Sequence, residues 1–172
     1  MLFRSRGAPV IYYGDEQGFA GDGGDQDARE SLFASHVASY NDNALIGSTA
    51  TTATANFNPD HPFYQAIAAM AAVRAGEAAL RRGRTIVRQS GETPGIFAFS
   101  RQIDGEPGET LVTINTATTP QAANVLVDPA SLAWRGLSGD CAATATAPGS
   151  VRVSLAPLSW SVCTTRSPEG RP

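Results

Sequence analysis

Lysine is absent from this chain of 172 residues: all 13 basic side chains are arginine, and they are scattered rather than clustered. Against 16 acidic residues they leave a formal charge of −3. That balance gives no basic patch for nucleic acid or an anionic membrane surface, so neither is expected as a partner. No apolar run reaches the roughly 18 to 20 residues needed to span a bilayer. The N-terminal segment from Met1 to Gly7 also lacks the apolar stretch of a secretory signal. Cysteine occurs only at Cys141 and Cys163, and two thiols cannot make a metal site alone. They could form one disulfide in an exported protein or stay as two buried thiols in a cytosolic one. The two histidines, His36 and His61, are isolated and have no Ser or Cys partner that would suggest a nucleophilic triad.

What is present suffices for a core. Hydrophobic residues make up 42 % of the chain, enough for one large domain or two small ones. The most informative stretch is Gly7-Ala-Pro-Val-Ile-Tyr-Tyr-Gly-Asp-Glu-Gln-Gly-Phe19, followed by Gly21-Asp-Gly-Gly-Asp-Gln-Asp-Ala-Arg29-Glu30. Val10 to Tyr13 form a short apolar run that Gly14 ends. A run apolar on both faces suits a strand buried on both sides, as in a parallel α/β sheet. The polar cluster then lies where the strand exits, the end of a (β/α)8 barrel that carries chemistry.

The order Pro-x-Ile-Tyr-x-Gly-x-Glu-x-Gly, then Asp-x-x-x-Arg-Glu, resembles the eighth strand and following loop of the α-amylase family, glycoside hydrolase family 13. The resemblance implies that the chain begins near the end of a catalytic domain, with Met1 inside the seventh barrel helix of a longer protein. Residues 34 to about 60, rich in Ala, Thr and Asn, read as a long loop insertion. Pro62 opens an expected helix running to about Arg82, capped by Asp60 or His61 and ended by Gly83. Phe63, Ile67, Met70, Ala71 and Leu80 supply its apolar stripe.

Past Gly83 the period becomes two-fold. Strands are expected at 85–89, 96–102, 111–115, 123–127, 151–155 and 160–163, separated by Gly/Pro turns. Short strands at this spacing suggest an antiparallel sandwich. The expected fold is therefore α/β plus all-β: the last β/α unit of a (β/α)8 (TIM) barrel, then a Greek-key β-sandwich. The corresponding scheme is residues 1–83 as barrel remnant, 84–166 as β domain and 167–172 as a tail. This is also the carboxy-terminal order of the α-amylase family.

Adjacent Asp15 and Glu16 diverge at a strand end, whereas a retaining glycosidase needs carboxyl groups about 5 to 5.5 Å apart across a sugar. They read instead as groups shaping the loop. The family's catalytic carboxylates come from earlier strands, so no catalytic residue is assigned here and the chain alone is expected to be inactive. Asp25 and Arg29, at i, i+4 spacing, project together if the segment turns helically. A carboxylate accepts from sugar hydroxyls and a guanidinium donates in a fixed fork. By the resemblance, this pair contacts the glucose on the non-reducing side of the cleavage point.

Gly21 to Asp27 does not carry the spacing of an EF-hand loop, and no metal or other cofactor is assigned to the chain; the family's structural Ca2+ sits mostly on parts absent here. The implied parent hydrolyses α-glucosidic bonds of starch or maltooligosaccharides with retention, and is secreted or periplasmic. A transglycosylase of the same family is the nearer alternative. A non-catalytic carbohydrate-binding β-sandwich, using Phe97, Phe99, Trp134 and Trp160, is the more distant one.

Overall fold

The computed structural model describes residues 7–21, 23–139, 141 and 144–167; all but the first residue of the expected tail 167–172, and Asp22 of the glycine-rich loop, lie outside the described residues. Two compact units divide the chain: Pro9–Ala71, and Ala72–Pro172 together with the first eight residues.

The larger unit is an antiparallel β-sandwich. Its strands are β1 (Arg84–Gln89), β2 (Ile96–Gln102), β3 (Thr110–Asn115), β4 (Gln121–Leu126), β5 (Arg135–Ser138), β6 (Thr144–Ala147), β7 (Ser150–Leu155) and β8 (Trp160–Thr164). One sheet has the order β1-β2-β3-β8-β5 and the other β4-β7-β6, with every pairing antiparallel. Alternation along the strands sorts the side chains. Ile96, Ala98 and Leu111 face Val125, Val127, Val151, Val153 and Leu155 of the opposite sheet, and all are buried. Removing each large aliphatic group from water contributes about 1.5 to 3 kcal/mol. The residues between them, Phe99, Val112 and Val162, point to the other face of the five-stranded sheet. There they pack with Leu80 and Val73, so that sheet is covered on both sides.

Six of the eight strands fall where the two-fold period places them. The short β5 and β6 do not announce themselves, being built around Gly136 and an Ala/Thr run. They are recruited by neighbours: Gly136 pairs with Cys163 and Ala145 with Val151. Cys141 and Cys163 are joined by a disulfide with Cα atoms 5.7 Å apart, tying the segment after edge strand β5 to central β8.

The helix expected from Pro62 to Arg82 is two helices. The short α1 (Ala38–Asn41) precedes them; α2 spans Pro62–Gly76 and α3 Ala78–Arg82. Glu77 breaks the run with φ −120° and ψ 106°, and its carboxylate caps Ala79 N–H at 3.1 Å. The same side chain is buried against Arg166, Oε1 to Nε 3.2 Å. Helix propensity at Glu77 is worth only tenths of a kcal/mol, so a buried ion pair and a cap override it. His61 starts α2, its Nδ1 accepting from Phe63 N–H at 3.2 Å. Leu80 therefore leaves the expected stripe, and α2 itself has no buried residue. Gly83 follows α3 in extended conformation, where a Cβ would lie 2.6 Å from the Ala79 carbonyl oxygen.

A second correction concerns Val10 to Tyr13, which is not a strand. Val10 is 74 % exposed and Tyr12 58 %. A strand exists only through its ladder, and among the described residues no neighbour pairs with this segment.

The Pro9–Ala71 unit has a different interior. Among its described residues the buried polar side chains are Gln17, Glu30, Thr52, Asn56 and His61, and Leu45 is the one large apolar side chain buried with them. Hydrogen bonds, not apolar area, hold it: Thr52 Oγ1 donates to Tyr40 O at 2.7 Å, and Asn56 Nδ2 to Thr54 O at 2.8 Å. So little buried apolar surface predicts low local stability. Limited proteolysis of the chain should cut within residues 9–71 first and leave the sandwich. Survival of 9–71 with loss of the β-strands would contradict this.

Candidate functional site

The 3-10 turn Asp15–Gln17 is built from the N-terminal motif. Asp15 Oδ2 accepts from Tyr12 N–H at 3.1 Å and Glu16 Oε2 from Gly14 N–H at 3.0 Å, so both carboxylates fold back on their own loop. The flanking glycines are sterically required. Gly14 and Gly18 have φ of 92° and 75°, and a Cβ on Gly18 would lie 2.1 Å from the Ile46 carbonyl oxygen. Gln17, between them, is 3 % exposed and grips the backbone of Asn58 twice, Nε2 to O at 3.1 Å and Oε1 from N at 3.0 Å. Nothing in the local sequence marks that role, since the partner lies 41 residues away.

The next segment winds as expected. Ala28 N–H bonds to Gly24 O at 3.0 Å and Arg29 N–H to Gln26 O at 3.1 Å. This turn brings Arg29 Nη2 to 2.7 Å from Asp25 Oδ2, with the side chains 59 % and 84 % exposed. An exposed pair of this kind contributes only about 0 to 1 kcal/mol. It sets a donor fork and an acceptor side by side at the solvent.

One tyrosine bonds to the turn that carries the pair. Tyr40 Oη donates to Gln26 O at 3.3 Å, holding the turn from α1. The Tyr12 and Tyr13 rings lie 4.6 Å apart, tilted by 40°, rather than on opposite faces of a strand. Partial burial, and then the hydrogen bond and charge of Tyr12, raise the Tyr13 phenol above its ordinary value, while the Arg29 guanidinium opposes the rise. Phenols, a carboxylate and a guanidinium together form a surface suited to a polyhydroxylated ligand.

Four other aromatics serve the sandwich. Phe97, Phe99 and Trp160 lie on the cluster with Leu80, the two phenylalanine centroids 5.7 Å apart, and Trp134 packs on the inter-sheet core. They do not form an exposed row on a sheet face. Among the described residues no group of three or more His, Cys, Asp or Glu converges as a metal site. The Asp25 carboxylate is paired with Arg29. No described helix is long and apolar enough to cross a membrane.

A β-sandwich preceded by this motif defines a class, the C-terminal regions of the α-amylase family. The chain belongs to that family: it is 44 % identical over 140 residues to the α-amylase of Streptomyces lividans, a match covering 81 % of this chain and 15 % of that protein. Among solved structures it resembles an Anoxybacillus α-amylase, with TM-score 0.66 and 23 % identity over 95 % of this chain and 30 % of that one. A cyclomaltodextrinase gives TM-score 0.65 and 17 % identity over 95 % and 24 %. No family model matches. The chain thus spans less than a third of the length of each of these relatives.

Proposed function

We propose that this chain is the C-terminal part of an α-amylase-like glycoside hydrolase acting on α-glucosidic bonds of starch or maltooligosaccharides. In this reading residues 1–83 complete a (β/α)8 barrel and 84–166 form its Greek-key β domain. The observation that carries it is the Asp25–Arg29 pair, preformed at 2.7 Å and presented to solvent on a turn to which Tyr40 bonds. Asp25 would accept from sugar hydroxyls and Arg29 donate to them, holding the glucose on the non-reducing side of the scissile bond. The chemistry would be retaining, with nucleophile and acid/base carboxylates supplied by earlier barrel strands, and the 172-residue chain alone would show no turnover. Any Ca2+ of the parent would be held outside this chain. The Cys141–Cys163 disulfide supports a secreted or periplasmic parent, because such bonds persist in oxidising compartments.

The test is Arg29→Ala in the complete enzyme. It should lower kcat/KM on longer maltooligosaccharides while moving stability by no more than about 0.5 kcal/mol, as for an exposed site. Unchanged kinetics with a large stability loss would assign the pair to structure. Turnover by the homogeneous 172-residue chain would sink the division of labour proposed here.

A further inference from the structure

Glu30 sits beside the exposed pair and yet is buried, 1 % exposed against 59 % for the side chain of Arg29. Its Oε2 accepts from Gly21 N–H at 3.3 Å, nine residues back along the chain. Its Oε1 is buried with no hydrogen-bond partner among the described residues. Burying a carboxylate is costly, and an apolar residue would fill the position without that cost. The bond it makes closes the base of the loop from Gly21 to Glu30. The two ends also touch there: a Cβ on Gly21 would lie 2.8 Å from Ala28 Cα. Between them, the Gly24–Ala28 and Gln26–Arg29 backbone bonds wind the turn on which Asp25 and Arg29 meet. Tyr40 holds the tip and Glu30 holds the root.

We propose that Glu30 is a positioning residue for the Asp25–Arg29 pair: its buried carboxylate clasps the loop at Gly21 and so fixes the turn that presents the guanidinium. The functional half rests on the substrate-binding reading of that pair; the conformational half does not. Without the clasp the turn keeps its internal bonds but loses its anchor. The pair then samples geometries that no longer match a sugar, which weakens binding without touching the reacting atoms.

Two measurements test it. In the 172-residue chain, Glu30→Ala should speed amide exchange at Ala28 and Arg29 by about tenfold, the equivalent of a lost hydrogen bond to a charged group, while exchange in β2 and β3 is unchanged. Glu30→Gln, whose amide oxygen can still accept from Gly21, should stay near the parent. Should Glu30→Ala fail to fold, Glu30→Asp keeps the charge but falls short of Gly21 and should give the same local signature. Unaltered exchange at Ala28 and Arg29, or acceleration throughout the chain, would overturn the clasp. In the complete enzyme, Glu30→Ala and Arg29→Ala should raise KM for maltooligosaccharides by similar factors with kcat little changed, and the double variant should be no worse than Arg29→Ala. Multiplying effects would overturn the coupling. The exchange signature of Glu30→Ala with no kinetic effect of Arg29→Ala would instead remove the substrate reading and leave the clasp standing.

Discussion

Glu109→Ala should lower the unfolding free energy of the β-sandwich by about 3 to 5 kcal/mol, the usual cost of breaking a buried ion pair from one side. The Glu109 side chain is fully buried and Arg88 is 16 % exposed. Oε2 accepts from Arg88 Nη2 at 2.8 Å, and Oε1 from Asp128 N–H at 2.8 Å. Arg88 also donates from Nε to Ser100 Oγ at 2.9 Å, so its guanidinium is held in place. One carboxylate thus joins β1, the turn after β4 and the start of β3. Truncation leaves a largely buried cation without its anion and an amide without its acceptor, and each pays its desolvation cost. Against a typical total of about 5 to 15 kcal/mol, the loss is severe. Urea unfolding read by the two tryptophans, both in the sandwich, measures it. The double replacement Arg88→Met with Glu109→Leu should recover much of the loss, because the burden lies in the uncompensated charge rather than the missing pair. A loss below about 1 kcal/mol for Glu109→Ala would mean that water reaches this site and screens it.

Reducing the Cys141–Cys163 disulfide, or replacing both cysteines by alanine, should cost about 3 kcal/mol. The bond closes a loop with a sequence separation of 22, and chain-entropy estimates for that length fall near this value. The local geometry points the same way. Cys163 is 1 % exposed on β8, paired with Leu111 on one side and with Gly136 on the other. Edge strand β5 has only four residues and a bulge between Gly136 and Ser138, so its ladder is short. The disulfide compensates for that weak edge. Thermal unfolding with and without reductant should separate by the stated amount, and amide exchange should rise first in β5. Equal stability of the two forms would show that β5 is held by its ladder and by Leu137 alone.

Comparison of the chain with its fold shows which parts of this protein are local problems. Strands β1 to β4, β7 and β8 are legible because alternation is a property of neighbouring residues, and Gly/Pro turns bound them. The meeting of Asp25 and Arg29 is legible for the same reason, since an i, i+4 pair needs only one helical turn. The family motif is legible because it is a contiguous pattern of residue types. What tertiary structure alone decided is non-local. The order β3-β8-β5, the recruitment of β5 and β6, and the Gln17–Asn58 clamp each join residues far apart in sequence. Glu77 reads as an ordinary helix residue until Arg166, from the end of the chain, draws it out of the helix and splits α2 from α3. Val10 to Tyr13 reads as a buried strand, yet a strand requires a partner's backbone groups, and periodicity cannot supply them. Glu30 reads as a polar loop residue. Only the closure of its loop onto Gly21 buries it, because burial of a charged group is set by what folds over it and not by its own side chain.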